Sequence, residues 1–246
     1  MEYNTLVAIF IFLFGISVGS FLNVLIYRIP ENKSILNPPS SCPKCNNRLK
    51  WYHNVPILGW LMLAGKCAYC KEPISAQYPI IELINGIIWV AIFLKIGLVW
   101  YLPFVMLSFS MLLALTMIDF KYYAVPDNLN FAALIFALIN PNFIQSALNA
   151  IYAAFALWLL GFIVSKLAKK EALGEADIIV AATMAALLGY PGFFIAMFIS
   201  AILAILPSVL AKDTMVPFVP FLALATLITY LNLEFLTSLL EKIMYG

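Results

Sequence analysis

Long apolar runs separated by short polar breaks fill most of this 246-residue chain. Hydrophobic residues make up 64% of the sequence and charged residues 11%, whereas soluble domains carry about 25% charged residues. This composition predicts an all-α, polytopic membrane protein whose surroundings are the lipid bilayer. The net charge of +2 gives no indication of nucleic-acid binding.

Eight segments are long and apolar enough, or nearly so, to cross a membrane, which takes about 20 residues across about 30 Å. The first of them lacks the basic start and early cleavage site of a signal peptide, so we expect it to remain as a helix. The fourth is short. The predicted spans are 5–27, 79–97, 99–118, 128–140, 145–165, 173–190, 192–210 and 216–238.

A long polar segment follows the first apolar run and interrupts the pattern. It divides the chain into a first transmembrane helix at 1–28, a small loop domain at 29–78 and a transmembrane domain at 79–246. Within the first helix, Gly15, Gly19 and Asn23 recur every four residues and therefore share one face. This stripe predicts a close-packed helix interface, with Asn23 bonding across it.

The positions of lysine and arginine predict the orientation, because these residues are enriched in cytoplasmic loops. With the N-terminus outside, twelve of the fourteen basic residues fall inside, and the exceptions are Lys95 and Lys242. Both termini are therefore predicted to be extracytoplasmic. The loop domain, Asp119 and Asp177 are predicted to face the cytoplasm.

Four cysteines form two Cys-x-x-Cys pairs in the polar segment, Cys42 with Cys45 and Cys67 with Cys70. Two such pairs supply four soft ligands in the arrangement that suits a structural Zn²⁺, with no position left for a catalytic water. The single histidine, His53, gives no metalloprotease pattern. A redox pair or unligated thiols are the alternatives.

Asp119 and Asp177 lie at the edges of long apolar runs. A carboxylate near hydrocarbon is costly, by roughly 2.5 to 3.5 kcal/mol on insertion scales, and such residues are often functional. If the two share a site, they share a proton, and one activates a water while the other polarises a carbonyl. Alternatively, Asp119 pairs with Lys121 at the interface, and Asp177 is a first-turn residue favoured by the helix dipole.

Ordered motifs along most of the chain resemble those of the type IV prepilin peptidases, which are GxGD-type intramembrane aspartic proteases. The final motif has Ala176 where the family pattern has its second glycine. The matching stretches are Gly19–Val24, Arg28–Pro30, both cysteine pairs, Trp51–Leu61, Gly65–Cys67, Pro73–Ser75, Tyr78–Glu82, Ile118–Asp119, Val125–Asp127 and Gly174–Asp177.

The resemblance implies an endopeptidase that removes the short basic leader of prepilins or pseudopilins at the cytoplasmic face of the bacterial inner membrane, cutting after a glycine. It implies that Asp119 and Asp177 are catalytic. Family members with the cysteine domain usually also methylate the new N-terminus with S-adenosylmethionine. The resemblance places Gly65, Lys66 and Glu82 at positions to consider for this cofactor.

Two readings from other functional classes compete with the peptidase. One is an ion or proton-coupled transporter that uses the two aspartates as ligands, although the chain shows none of the internal repeats common in such proteins. The other is a non-catalytic assembly protein in which zinc orders a docking loop.

Overall fold

The computed structural model describes residues 2–169, 174–210 and 216–245. Within these ranges the chain is helical apart from its loops and the cysteine segment. By contacts it divides into an N-terminal unit, Met1–Leu98, and a C-terminal unit, Val99–Gly246. The helices are α1 (Glu2–Arg28), α2 (Leu58–Met62), α3 (Gln77–Ile96), α4 (Leu102–Tyr122), α5 (Asp127–Leu138), α6 (Phe143–Ala168), α7 (Glu175–Leu210), α8 (Val219–Leu231) and α9 (Leu233–Tyr245).

In the N-terminal unit, α1 packs along α3 through small residues. A Cβ added to Gly15 would lie 2.9 Å from the Cα of Gly86, and one added to Gly19 would lie 2.7 Å from the Cα of Glu82. Asn23 donates a hydrogen bond of 3.1 Å from Nδ2 to the carbonyl of Tyr78. The prediction of a close-packed stripe with Asn23 bonding across it is therefore confirmed.

The segment between α1 and α3 holds the two cysteine turns, α2 and a short 3-10 helix, Trp51–Asn54. Each cysteine turn closes with an isolated antiparallel bridge, Ser41 with Arg48 and Lys66 with Pro73. Such short pairings bury little apolar area, so this segment depends on other contacts for its order.

In the C-terminal unit, α7 packs against α6, α8 and α5, while α4 packs against α5 and α8. Small side chains make part of this close approach, including a cluster of Ala137, Ala150, Ala182 and Ala186 on three helices. Because α5 and α8 each contact both α4 and α7, they hold those two helices at a fixed spacing.

The predicted count of eight spans is not confirmed. Five helices in the described ranges are long and apolar enough to cross a membrane, or six if α8 and α9 form one broken span. Helix α5 has 12 residues and is therefore about 18 Å long, less than the bilayer core. The predicted seventh span continues from the sixth across non-helical Gly189 and Tyr190, and α8 and α9 meet at a bend of 88°. The predicted start of the sixth span, at residue 173, lies outside the described ranges.

Candidate functional sites

Asp119 lies in the last turn of α4 and is only 6% exposed. Its Oδ2 accepts a hydrogen bond of 3.2 Å from the backbone N–H of Val219, the first residue of α8. The first N–H groups of a helix have no partner within the helix and carry partial positive charge, so they suit a carboxylate. The neighbouring Lys121 places its ammonium over the Tyr122 ring, 4.8 Å from the ring centre.

Asp177 lies in the first turn of α7 and is half-buried. Its backbone N–H donates to the carbonyl of Gly174 at 3.1 Å, and this turn brings Gly174 against the aspartate side chain. A Cβ at Gly174 would lie 3.3 Å from Oδ2 of Asp177. Glycine at this position therefore leaves the carboxylate accessible.

The fold brings Asp119 and Asp177 into one site, although 57 residues separate them along the chain. The charge of Asp119 acts on Asp177, so the two carboxyl groups lie within range of electrostatic interaction. Their helices are held by shared neighbours, α5 and α8. Two carboxyl groups placed this way, one buried and one half-buried, have the composition of an acid–base dyad.

Asn130 connects α5 to the start of α7 and is fully buried. Its Nδ2 donates a hydrogen bond of 2.9 Å to the carbonyl of Ala176, the residue before Asp177. This bond holds the backbone of the Gly174–Asp177 motif against α5. The methyl group of Ala176 does not prevent that contact.

Three buried oxygen atoms around the aspartates have no hydrogen-bond partner within the part of the chain that the structure describes: Thr116 Oγ1, Tyr122 OH and Asn130 Oδ1. Thr116 and Tyr122 lie one turn before and one turn after Asp119, on the same face of α4. A buried polar atom without a partner costs roughly 1 to 3 kcal/mol. Their concentration here indicates a site that accepts water or peptide groups.

The two cysteine pairs form turns of the same construction. In the first, the N–H of Cys42 donates to the carbonyl of Asn47 at 3.0 Å, and in the second the N–H of Cys67 donates to that of Glu72 at 2.8 Å. Each turn has one residue in the left-handed region at the same place: Asn46 with φ +55° and Lys71 with φ +62°. The two turns present their sulfur atoms to a common centre.

The four sulfur atoms lie within 4.8 Å of one another. Two of the separations are 3.8 Å between Cys42 and Cys70 and 4.0 Å between Cys45 and Cys67. Tetrahedral zinc with Zn–S bonds of about 2.3 Å would place its sulfurs about 3.8 Å apart. The cluster is thus positioned to hold a metal ion, and its donor set and spacing fit zinc.

The environment of the sulfurs differs across the cluster. Backbone N–H groups of Cys70 and Tyr69 lower the pKa of Cys67 to about 6. The pKa of Cys70 rises to about 12, because the N–H of Glu72 lowers it less than burial and the sulfurs of Cys67, Cys45 and Cys42 together raise it. Crowded thiols resist full ionisation, and a cation among them would oppose that effect.

Gly65 and Lys66 connect α2 to the second cysteine turn. Gly65 has φ +67°, and a Cβ at this position would lie 2.8 Å from the Trp60 ring. A side chain there would be strained in its backbone conformation and crowded by the indole. Lys66 is exposed beside the buried Cys67. The conformation of this connection thus requires glycine.

Glu82 lies in α3 and is only 6% exposed. Its Oε2 accepts a hydrogen bond of 2.6 Å from the N–H of Ile57, and the Ser20 hydroxyl also bonds to the carboxylate. Ile57 has φ +60°, an unusual value for a β-branched residue. The carboxylate therefore anchors a strained loop to α3, and it is engaged by these two donors.

Two family models match the chain. The bacterial peptidase A24 N-terminal domain matches residues 13–96, and the type IV leader peptidase family matches residues 106–209. A prepilin leader peptidase/N-methyltransferase of Aeromonas hydrophila is 31% identical over 253 residues, which cover 87% of each chain. The chain belongs to the type IV leader peptidase family.

Two further proteins of the family carry the same name as the Aeromonas protein. That of Klebsiella pneumoniae is 34% identical over 202 residues, covering 77% of this chain and 88% of the relative. That of Myxococcus xanthus is 34% identical over 192 residues, covering 76% of this chain and 57% of the relative. No solved structure matches the chain at a significant level.

Family membership confirms the resemblance stated from the motifs and the prediction of an enzyme. The alternative of an ion or proton-coupled transporter is not supported. The helical architecture and the metal-binding arrangement of the four cysteines are confirmed by the structure.

Sequence reasoning did not find four residues of the aspartate site: Thr116, Tyr122, Asn130 and Val219. Thr116 and Tyr122 could have been identified from the sequence, since a polar side chain one turn from an aspartate shares its helix face. Asn130 is a polar residue within an apolar helix and was also detectable as such. Val219 contributes only its backbone N–H, which no sequence pattern reveals.

Proposed function

We propose that this protein is a membrane-embedded aspartic endopeptidase that cleaves the leader peptide of type IV prepilins or pseudopilins after a glycine. The observation that carries the proposal is the meeting of Asp119 and Asp177 in one partly buried site. Membership of the type IV leader peptidase family and the names of the relatives support the substrate class.

The two carboxyl groups take different roles in the proposed reaction. The ionised one removes a proton from a water molecule, whose oxygen attacks the carbonyl carbon of the scissile bond. The protonated one polarises the carbonyl oxygen by donating a hydrogen bond. As the tetrahedral intermediate collapses, the carbon–nitrogen bond breaks and the leaving amine takes up a proton from the dyad. Each turnover returns one shared proton to the pair.

Other groups of the site position the water, the backbone and the substrate in this proposed reaction. The N–H of Val219 bonds to Oδ2 of Asp119, and we assign the other oxygen, Oδ1, to the water. Asn130 fixes the backbone ahead of Asp177. Within the described ranges, the buried oxygen atoms of Thr116, Tyr122 and Asn130 have no hydrogen-bond partner, and in this reaction they accept hydrogen bonds from the water or from the N–H groups of the substrate backbone.

The site faces the cytoplasm in this proposal, because basic residues accompany both aspartates. Lys121 follows Asp119 by two residues, and Lys166 and Lys169 precede Asp177. The seven basic residues between positions 28 and 71 place the cysteine segment on the same side and the N-terminus outside. We also propose that the C-terminus lies outside. The membrane would be the bacterial inner membrane.

We further propose that the enzyme methylates the new N-terminus and that residues 29–78 form the methyltransferase region, while 79–246 form the peptidase domain. The relatives are named N-methyltransferases as well as leader peptidases. When bound, S-adenosylmethionine supplies an electrophilic methyl group. A structural Zn²⁺ held by Cys42, Cys45, Cys67 and Cys70 would stabilise the two turns that carry this region.

Gly65, Lys66 and Glu82 contribute differently to the proposed methyltransferase region. Gly65 shapes the connection beside Trp60, and Lys66 is exposed to solvent there. The carboxylate of Glu82 is engaged by Ile57 and Ser20. We therefore assign Glu82 to positioning the loop at Ile57, and only Gly65 and Lys66 to contact with the cofactor.

A single assay tests both activities. The purified enzyme is incubated with a prepilin and S-adenosylmethionine, and the mass of the pilin is measured before and after. Loss of the leader mass together with gain of one methyl group is expected. An unchanged mass would contradict the peptidase, and leader loss without methylation would leave the peptidase alone.

A further inference from the structure

A cavity of about 350 Å³ lies in the N-terminal unit, at the end of α1. One wall is the last two turns of α1, and the other walls come from segments 35–40 and 48–54. Its volume is within the range of about 300 to 1,000 Å³ that is typical of small-molecule sites. The aspartates and the four cysteines do not line it.

The part of the cavity nearest the middle of α1 is apolar. Phe21 and Val24 line this part, and Arg28 follows Val24 by four residues on the same helix face, toward the other end of the cavity. Across from them, Leu36 is 79% exposed. An exposed side chain of this size, next to a membrane helix, favours contact with hydrocarbon.

The opposite part of the cavity is positively charged. Arg28 donates hydrogen bonds to the carbonyls of Ser34 at 2.8 Å and Pro38 at 2.7 Å. A guanidinium has five N–H donors, so further donors are available, and neutral carbonyls do not offset its charge. Arg48 enters the cavity from the first cysteine turn and is exposed. The two arginines therefore make this end of the cavity suitable for an anion.

The cavity lies at the level of a membrane surface. Arg28 ends an apolar helix of 27 residues. Next to it, the Tyr27 ring lies under the ammonium of Lys33, 5.2 Å from its centre. Trp51, on the rim, is 81% exposed. Tryptophan, tyrosine and basic residues that occur together are typical of the interface between hydrocarbon and water.

We propose that this cavity binds an anionic phospholipid. The phosphate lies between Arg28 and Arg48, and the first part of an acyl chain runs along Phe21 and Val24. Guanidinium groups favour phosphate because they bind two of its oxygens at once. A zwitterionic headgroup would bind less well, because its own ammonium group would be repelled by the arginines. The cationic sulfonium of S-adenosylmethionine and a basic leader peptide would be repelled for the same reason.

Arg28 also bonds to two carbonyls of the polar segment, those of Ser34 and Pro38. These bonds fix the segment just after α1, and the lipid phosphate would add a charged partner to the same guanidinium. The start of the cysteine region would then be attached to the membrane surface through the lipid.

Native mass spectrometry of the full-length protein tests the proposal. The protein is released from mixed micelles that contain equal amounts of phosphatidylglycerol and phosphatidylcholine, and the retained lipid is counted. We expect the wild-type protein to retain phosphatidylglycerol selectively. We expect Arg48→Gln to retain it about fivefold less, since one basic residue near an anionic surface contributes about 1 kcal/mol.

Two further variants separate the cavity from general charge and from folding. Lys50→Gln removes the same charge from an exposed residue that does not line the cavity, and it should retain lipid like the wild type. Arg28→Lys keeps the charge but loses the forked donors, and it should retain less lipid while the metal content stays constant.

Three results would overturn the proposal: equal retention of both lipids by the wild type, retention by Arg48→Gln at the wild-type level, or an equal loss in Lys50→Gln. Displacement of the lipid by inorganic phosphate would reassign the cavity to a soluble anion. Displacement by S-adenosylmethionine would reassign it to the methyl donor.

Discussion

Glu82 in the N-terminal unit and Asp119 in the C-terminal unit look alike at first. Each is a carboxylate on an apolar helix, each is 6% exposed, and each accepts a backbone N–H from a distant residue, Ile57 or Val219. Their surroundings differ. The Ser20 hydroxyl also bonds to Glu82, whereas Asp119 lies near Asp177. Thr116 and Tyr122 share its helix face, and their buried oxygen atoms have no hydrogen-bond partner among the described residues.

The difference shows how to separate a structural carboxylate from a reactive one. Burial and a backbone anchor are common to both and therefore do not decide the function. What distinguishes Asp119 is a second carboxyl group and nearby polar atoms that still have bonding capacity. Glu82 accepts hydrogen bonds from Ile57 and Ser20 and thereby anchors the loop at Ile57, which is a sufficient structural role.

The largest expected effect is the loss of cleavage on neutralising either aspartate. Asp119→Asn and Asp177→Asn should each reduce the cleavage rate at least about 1,000-fold, because an amide cannot share the proton of the dyad. Glu82→Gln is the control from the other unit and should cleave like the wild type. The measurement is the rate of leader release by mass spectrometry. Cleavage by both aspartate variants at near the wild-type rate would refute the dyad.

The next effect concerns the metal and separates the two units. Cys42→Ser removes one of four thiolate ligands, and since structural zinc contributes about 10 to 16 kcal/mol to folding in small domains, the cysteine turns should lose order. Metal content by mass spectrometry and methyl transfer should both fall. Cleavage should persist if the peptidase site is independent of these turns.

Lys44→Gln is the control for that experiment, because it alters the same turn and leaves every sulfur in place. Its metal content should equal that of the wild type. Equal metal loss in both variants, or full metal retention in Cys42→Ser, would argue against the four-sulfur site.

A smaller effect is expected from replacing Asn130, which bonds to the backbone just before Asp177. Asn130→Ala removes the bond to the Ala176 carbonyl and should lower kcat up to about 100-fold with little change in KM, since misplacement of a reacting group by about 1 Å has effects of this size. Asn85→Ala is the matched control: Asn85 is also fully buried and donates to a carbonyl, that of Gly15, at 2.7 Å.

Steady-state kinetics and thermal unfolding of both asparagine variants are the measurements. We expect both to be destabilised and only Asn130→Ala to lose kcat. A parallel loss of kcat in the two variants would mean that Asn130 acts through stability alone.

The smallest effect tests the structural role of Glu82. Glu82→Ala leaves the partly buried N–H of Ile57 without its acceptor, which should cost roughly 1 to 3 kcal/mol of stability. Glu82→Gln keeps an acceptor oxygen and should lose less. Thermal unfolding of both variants gives the comparison. Equal stability of Glu82→Ala and the wild type would show that the bond to Ile57 does not hold the loop.

Much of the fold was predictable from local sequence. Apolar length and composition located the helices, and glycines spaced by four residues identified the face of α1 that packs on α3. The number of spans was not predictable in this way. An apolar stretch such as 216–238 has the length of one span, but tertiary packing bends it by 88° between α8 and α9.

The candidate sites were likewise predictable only in part. The four cysteines were predictable as a cluster, because each pair is local and four soft ligands need only two turns to converge. The aspartates were predictable as residues of interest, but their meeting was not. The role of Val219 was not predictable either, since every residue except proline supplies the same backbone N–H.

The sequence by itself determined that this chain is helical and membrane-embedded, that two Cys-x-x-Cys pairs supply four candidate metal ligands, and that it belongs to a peptidase family. Periodicity, composition and the spacing of reactive residues are properties of neighbours along the chain. Only the tertiary structure decided that Asp119 and Asp177 share a site while Glu82 anchors a loop. These outcomes depend on how distant helices pack, because packing sets which donors and charges surround each carboxylate.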